Sequence, residues 1–211
     1  MKQKLIIVGA GSVGKFIAYN IDQFTVSYEI LGFLDDDLSK HGTTVAGYQV
    51  IGTVDNLNEF SDKGYAIVWG IAFPKIKKKL FDKYQNLVFD FPSFISKSAW
   101  ISQSVTIGAG CIIYPGTSIN YECEIGDFVV INMNCSLGHN CSVGTYSSLA
   151  PGVNFAGHTK VGHYVEVGIG ATTIQNVIIN DNAIIGGQSM LVNDVMNGDV
   201  VVGIPAKSIK W

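Results

Sequence analysis

Four histidines and one glycine-rich loop are the residues of this 211-residue chain whose types and spacing suit chemistry. A histidine can take up and return a proton near neutral pH. Each is therefore a candidate general base, a role that contributes about 10²–10⁴-fold in rate. His41 sits in a polar loop after an acidic cluster and reads as surface, and His158 and His163 lie near turns. His139, in Leu137-Gly138-His139-Asn140-Cys141, stands two residues past an apolar position of a regular repeat. Its ring should point outward, away from the apolar core of the repeat. The loop is Gly9-Ala10-Gly11-Ser12-Val13-Gly14, with Asp35-Asp36-Asp37 about 20 residues after its last glycine. Glycines at this spacing let the backbone approach a phosphate at a helix N-terminus. An acid at that distance can accept from a ribose hydroxyl.

The elements that must position these groups follow from two different rhythms. From Ile95 to Leu191 an apolar residue recurs at every sixth position, and only Thr173 breaks the series. Two residues before each, from Ala99 onward, stands a small side chain, and Gly often follows, as at Gly108, Gly126, Gly138, Gly144, Gly162, Gly168 and Gly186. A period of six fits neither an α-helix nor a long strand. It fits a coil that turns a corner after each short strand, with three faces per turn of about 18 residues and stacked turns burying one another. The large apolar residue points into the narrow core, the small one faces inward beside it, and Gly near the corner is expected to supply backbone angles closed to other residues. Cys111, Cys123, Cys135 and Cys141 all occupy the small inward position. They read as buried core thiols, with Cys123 and Cys141 stacked on adjacent turns, and show no metal-ligand spacing. No metal site is expected.

Before the repeat the pattern is strand, glycine turn, helix, strand and acid. Residues 4–8 read as a buried strand, followed by an amphipathic stretch to about Phe24 and a strand from Tyr28 to Leu34. A strand over Tyr65–Trp69, a helix from about Pro74 to Tyr84 and a strand near Leu87 to Phe91 complete it. About 90 residues make one mononucleotide-binding half of a dinucleotide fold. The boundaries expected are residues 1–92 for this Rossmann-like α/β half domain and 93–211 for the parallel β-helix.

Composition excludes several classes. All 14 basic residues are Lys, the net charge is -3 and no basic stripe is visible, which argues against nucleic-acid binding. Lys75, Lys77, Lys78, Lys79 and Lys83 cluster at helical spacing and read as a solvated helix face. No run of about 20 apolar residues is present, so no membrane insertion is expected. Residues 4–8 are too short for a signal-peptide core, which makes the cytoplasm the default location.

Taken from GAGSVG, through Phe33-Leu34-Asp35-Asp36, to Val202-Gly203-Ile204-Pro205-Ala206-Lys207, the chain resembles the bacterial sugar acyltransferases of the NeuD/PglD type. These are O- and N-acetyltransferases of the hexapeptide-repeat superfamily. The resemblance implies a left-handed β-helix, a known exception to the right-handed crossover rule. It also implies a homotrimer with acetyl-CoA, the acyl donor, in a groove between neighbouring β-helices. The acceptor would be a nucleotide-activated amino sugar or sugar held by the N-terminal domain, for which a UDP-sugar is the first expectation. Capsule, lipopolysaccharide and protein glycosylation would all fit.

Residue by residue, the resemblance implies His139 as general base and Gly157, one coil later, as a backbone N–H donor to the thioester carbonyl. Relatives usually carry Glu or Asp after this histidine, where this chain has Asn140, an amide that can orient a ring but adds no charge. Gly157, Gly168, Gly186 and Gly187 match the coenzyme groove. Ile204, Pro205, Ala206 and Lys207 match the segment closing over its adenine end, with Lys207 a point charge for a phosphate. For the acceptor, Gly9, Gly11, Ser12 and Gly14 would meet the phosphates, Asp35 and Asp36 the ribose or base, Gly70 a third wall and Asn132 the sugar. Val13, Ile71 and Ala72 depart from polar residues that relatives place there. Two other readings remain at this point. One is a non-catalytic trimeric scaffold that binds a nucleotide sugar, favoured by Asn140. The other is an acyltransferase with a non-sugar acceptor, disfavoured by the N-terminal half.

Overall fold

The computed structural model describes residues 2–209 and divides into two compact units, Met1–Ala72 with Ile76–Phe94, and Phe73–Lys75 with Ile95–Trp211. In the first unit, β1 (Lys4–Val8) leads through the glycine loop into α1 (Ser12–Tyr19). There follow β2 (Glu29–Leu34), β3 (Thr44–Val45), β4 (Tyr48–Gly52), α2 (Leu57–Phe60), β5 (Ala66–Trp69) and α3 (Pro74–Tyr84). The sheet order is β3-β4-β2-β1-β5, parallel except for the β3–β4 hairpin. Central β1 is flanked on both sides, and Leu5, Ile6, Ile7 and Val8 are all fully buried, as a near-continuous apolar run in a parallel sheet requires.

Three sequence expectations change here. Leu87–Phe91 is no strand: a single bridge joins Asp90 to Ala66, and Pro92, which has no N–H, follows at once. The lysines of α3 are not all solvated, since Lys77 is 1% exposed. His41 is half-buried rather than on the surface, with Nε2 2.7 Å from the Asp35 carbonyl oxygen, to which it donates.

The second unit is the predicted coil. Two-residue strands, one per six residues, pair in parallel with those 18 residues away and form three faces. Face one carries Trp100–Ile101, Ser118–Ile119, Ser136–Leu137, Asn154–Phe155, Thr172–Thr173 and Met190–Leu191. Face two runs from Thr106–Ile107 to Ile178–Ile179, and face three from Phe94–Ile95 through Ile112–Ile113 and Val130–Ile131 to Val200–Val202. Lys207–Ser208 then turns back antiparallel on Val200–Val202. The sixth-position residues fill the prism, including Ile113, Ile131, Leu137, Leu149, Phe155 and Ile185. Thr173 is tolerated among them because its Oγ1 accepts from the Ala156 N–H at 3.1 Å and lies 2.8 Å from the Thr159 hydroxyl.

The small inward position has a second reason to be what it is. Thr117 and Ser147 donate to the carbonyl 15 residues ahead, at 2.9 Å (Asn132) and 2.8 Å (Gly162). Cys111, Cys123, Cys135 and Cys141 do the same with the carbonyls of Gly126, Gly138, Ala150 and Ala156, at 3.0 to 3.3 Å. Each small polar group thus satisfies a corner carbonyl of the next turn, in a core where an unpaired one would be costly. All four cysteines are free and buried, and burial pushes the Cys135 thiol up to about 11. We expect none to react with a disulfide reagent in the native protein and all four to react once it is unfolded; a native thiol titrating rapidly would contradict this packing.

Glycine works differently from the expectation. The glycines after the apolar residue do not have positive φ. The left-handed corner residue is another one, and it is Glu122, Phe128, Asn134, Asn140, Tyr146, His158 or Asn182 as often as Gly. The glycines instead permit stacking: a Cβ on Gly168 would stand 2.5 Å from the Gly187 nitrogen, and one on Gly138 2.6 Å from the Gly157 nitrogen.

Candidate functional site

Three edges join the three faces of the solenoid, and the solenoid residues that the resemblance assigns to the site fall on two of them, apart from the closing hairpin. His139, Asn140 and Gly157 lie on the edge from face one to face two. Asn132, Gly168, Gly186 and Gly187 lie on the edge from face three to face one, a full face away. Asn132 is held by its own turn, its Oδ1 accepting from the Met133 N–H at 2.8 Å. Gly168 and Gly186 are tight inter-turn contacts, whereas Gly187 is exposed. In the closing hairpin, Ile204 is 76% exposed, Ala206 N–H donates to the Met190 carbonyl at 2.8 Å, and Lys207 is exposed. Pro205 follows a cis peptide bond.

The first edge is a built site. The ring of His139 is half-buried and stacks on Tyr121, one turn back, with centroids 5.2 Å apart and an interplanar angle of 8°. On its other side lies Gly157, one turn ahead, where a Cβ would stand 2.8 Å from Nε2 and 2.9 Å from Cε1. His158 meets the ring edge-on at 5.0 Å. Nδ1 lies 2.9 Å from Asn140 Oδ1, and Asn140 Nδ2 donates to Glu122 Oε2 at 2.7 Å. An amide oxygen only accepts, so Nδ1 carries the proton and Nε2 keeps its lone pair. The arrangement is that of an oriented base: one nitrogen is pinned, the other available. The Gly157 N–H beside it makes no hydrogen bond among the described residues. His163 does other work, with Nδ1 accepting from the Thr145 N–H at 3.0 Å to close a different corner.

Sequence reasoning does not single out Tyr121 and Glu122, and it places His158 only near a turn. The signal for the first two is present all the same: they stand 18 positions before His139 and Asn140, one full turn of the repeat.

In the N-terminal unit the glycine loop divides by role. Gly9 has φ of 99°, and side chains on Gly9, Gly14 and Gly70 would collide with one another's backbones, so these three pack α1 against the ends of β1 and β5. Gly11 and Ser12 are exposed at the α1 N-terminus, and nothing lies within 4 Å of a Cβ built on Gly11. Asp35 is occupied internally: Oδ2 accepts from the Ala10 N–H at 2.7 Å and pairs with Lys40 at 3.1 Å, while Oδ1 accepts from the Asp37 N–H. Burial would raise its pKa, but the two N–H donors and Lys40 hold the carboxyl below the usual range. Asp36 Oδ1 accepts from the Val54 N–H at 2.9 Å. Among the described residues no helix is long and apolar enough to cross a membrane, and no cluster of His, Cys, Asp or Glu could hold a metal ion.

Comparison with known proteins gives this geometry its context. Residues 4–84 match the PglD N-terminal domain, and residues 122–157 match the bacterial transferase hexapeptide of six repeats. The chain is 30% identical over 202 residues to GDP-perosamine N-acetyltransferase of Escherichia coli O157:H7, covering 93% of this chain and 81% of the relative. The acetyltransferase domain of PglB from Neisseria gonorrhoeae FA1090, solved in complex with acetyl coenzyme A, superposes with a TM-score of 0.91 at 28% identity, over 99% of this chain and 100% of that one. PerB from Caulobacter crescentus, in complex with CoA and GDP-perosamine, superposes with a TM-score of 0.90 at 27% identity, over 98% and 97% of the two chains. With a Rossmann-like half domain before a left-handed parallel β-helix, and acetyl-CoA as acyl donor, this chain belongs to the PglD-type nucleotide-sugar acetyltransferases of the hexapeptide-repeat superfamily.

Proposed function

We propose that the chain N-acetylates a nucleotide-activated amino sugar, with His139 as general base, as a homotrimer in the cytoplasm. The observation that carries this reading is the His139 ring, fixed between Tyr121 and Gly157 with Nδ1 on Asn140 and Nε2 unprotonated. The sugar amine attacks the thioester carbonyl, and Nε2 takes the proton the amine loses. The Gly157 N–H faces the developing oxyanion, where a fixed donor is worth most. Collapse breaks the carbon–sulfur bond, and the proton on Nε2 leaves with the CoA thiolate.

The trimer is supported by the division of candidate residues between two edges. Gly187 and Asn132 cannot reach His139 within one solenoid, so a groove needing both sets draws on a second copy. Apolar side chains stand exposed on each edge: Met133 and Ile169 on one, Ile174 on the other. Four free cysteines suit a reducing compartment. In the N-terminal unit, the open Gly11 and Ser12 are the residues of the loop best placed for a phosphate, and Asp36 keeps one carboxylate oxygen outside its Val54 bond for a ribose or base. Two of the three relatives above act on or bind GDP-perosamine, which favours GDP over the UDP of the first expectation.

A panel of GDP-, UDP- and dTDP-linked 4-amino sugars with acetyl-CoA, read by free thiol release, tests the reading. Release is expected with one nucleotide series, from a species whose light-scattering mass is that of three chains. No release with any amino sugar, and no thermal stabilisation by acetyl-CoA, would sink it.

A further inference from the structure

We infer that Glu122 is a positioning residue for the base, acting through Asn140 from one turn below. This rests on the assignment of His139 above. Glu122 and Asn140 are both left-handed corner residues, with φ of 55° and 59°, 18 positions apart, so their side chains stack along the edge. A carboxylate has only acceptors, and the Asn140 amide nitrogen only donors. The 2.7 Å bond to Glu122 Oε2 therefore fixes which way the amide faces. Its oxygen is turned to His139, where it can only accept, and Nδ1 must be the protonated nitrogen. The Tyr121 ring and Gly157 confine the imidazole from both sides, and His158 from its edge, but none of them chooses the tautomer. Glu122 does.

The acid thus stands one turn away from the histidine and is joined to it through an amide. When Nε2 takes the acceptor's proton, the imidazolium keeps its Nδ1–H on Asn140, and the Glu122 charge lies behind the same amide. No proton moves to Asn140 or Glu122. The amide transmits orientation and polarisation only, as the buried acid of a Ser-His-Asp triad orients its histidine without being protonated.

A polarity exchange tests this. In Glu122→Gln the new amide can donate to Asn140 Oδ1, which lets Asn140 turn its NH2 toward His139 and favour the Nε2–H form. We expect kcat to fall about 10–100-fold, in line with the loss of a partner that orients an essential histidine, with KM for both substrates unchanged. The ¹⁵N shifts of His139 should report the tautomer change. In the double variant Glu122→Gln with Asn140→Asp, the introduced carboxylate accepts from both the introduced amide one turn below and His139 Nδ1. Turnover should return to within a few-fold of the parent, and the Nδ1–H signal with it. A corner role for Glu122 alone predicts neither the tautomer change nor the rescue. An unchanged His139 tautomer in Glu122→Gln, or a double variant no better than the single one, would overturn the inference. The ¹⁵N measurement needs no substrate: a tautomer change in a protein that acetylates no sugar would retain the role of Glu122 and discard the functional reading instead.

Discussion

His139→Ala lowers kcat for acetyl transfer by about 10²–10⁴-fold, the contribution of a well-placed general base, while the oligomeric state and the melting temperature stay close to those of the parent. The stability half of this expectation follows from where the ring sits. It is half-buried on an edge, outside the apolar prism of Ile119, Leu137 and Phe155, and its loss opens no core cavity. What disappears is one hydrogen bond to Asn140, a stack on Tyr121 and an edge contact with His158. The activity half follows from its being the one histidine among the described residues whose Nε2 is left unprotonated beside a backbone N–H that makes no hydrogen bond, that of buried Gly157. His158→Ala is the informative companion, because its ring is exposed and only 5.0 Å away. A smaller loss is expected there, since among the described residues the His158 ring has an edge contact but no hydrogen-bonded partner that would fix its tautomer. Single-turnover rates for both variants decide the matter. If His158→Ala is the more damaging, the base is His158; if neither matters, proton removal is not performed on this edge.

The solenoid could be read from the sequence because its core is set by a strict local period. Each sixth residue enters the prism, and Thr173 is the visible exception. The role of the small position is only half visible. Its size suggests crowding, but the bonds from Cys111, Thr117 and Ser147 to the next turn depend on the stacking register. The corner glycines mislead for a physical reason: Gly relieves both strained torsions and close approach, and a sequence does not distinguish them. Here Asn, Tyr and His take the strained torsion, and Gly takes the contact. The β3–β4 hairpin is hidden because its turn is Ala46-Gly47, both with positive φ, where Asn-Gly would have announced it. Lys77 looks like its neighbours in the KIKKK run, and only tertiary packing buries it. At the candidate site, the resemblance singles out His139 and Gly157, which the structure brings together, but Glu122 emerges only by counting back one turn from Asn140.

Gly157→Ala should be nearly as damaging as removal of the base, by displacing it. A Cβ at this position would stand 2.8 Å from His139 Nε2, 2.9 Å from Cε1 and 3.3 Å from Cδ2, closer than a methyl carbon and a ring atom can approach. The backbone at Gly157 cannot retreat, because Asn176 N–H donates to its carbonyl at 3.1 Å and Gly138 packs against its nitrogen. The ring cannot slide toward Tyr121, with which it is already stacked. It must swing outward, breaking the 2.9 Å contact with Asn140 that fixes its tautomer. A base misplaced by about 1 Å can cost 10²-fold in rate, so a fall in kcat of roughly that size is expected. Gly157 is not among the positive-φ residues, so alanine fits its torsions and the fold should persist. The steric account makes a further demand that a simple loss of oxyanion stabilisation does not. The Gly157→Ala backbone still offers its N–H, so pairing it with Tyr121→Ala, which opens space on the opposite side of the ring, should recover part of the loss. If Gly157→Ala alone keeps full turnover, His139 is not confined as described, and if the double variant recovers nothing, confinement is not what the glycine provides.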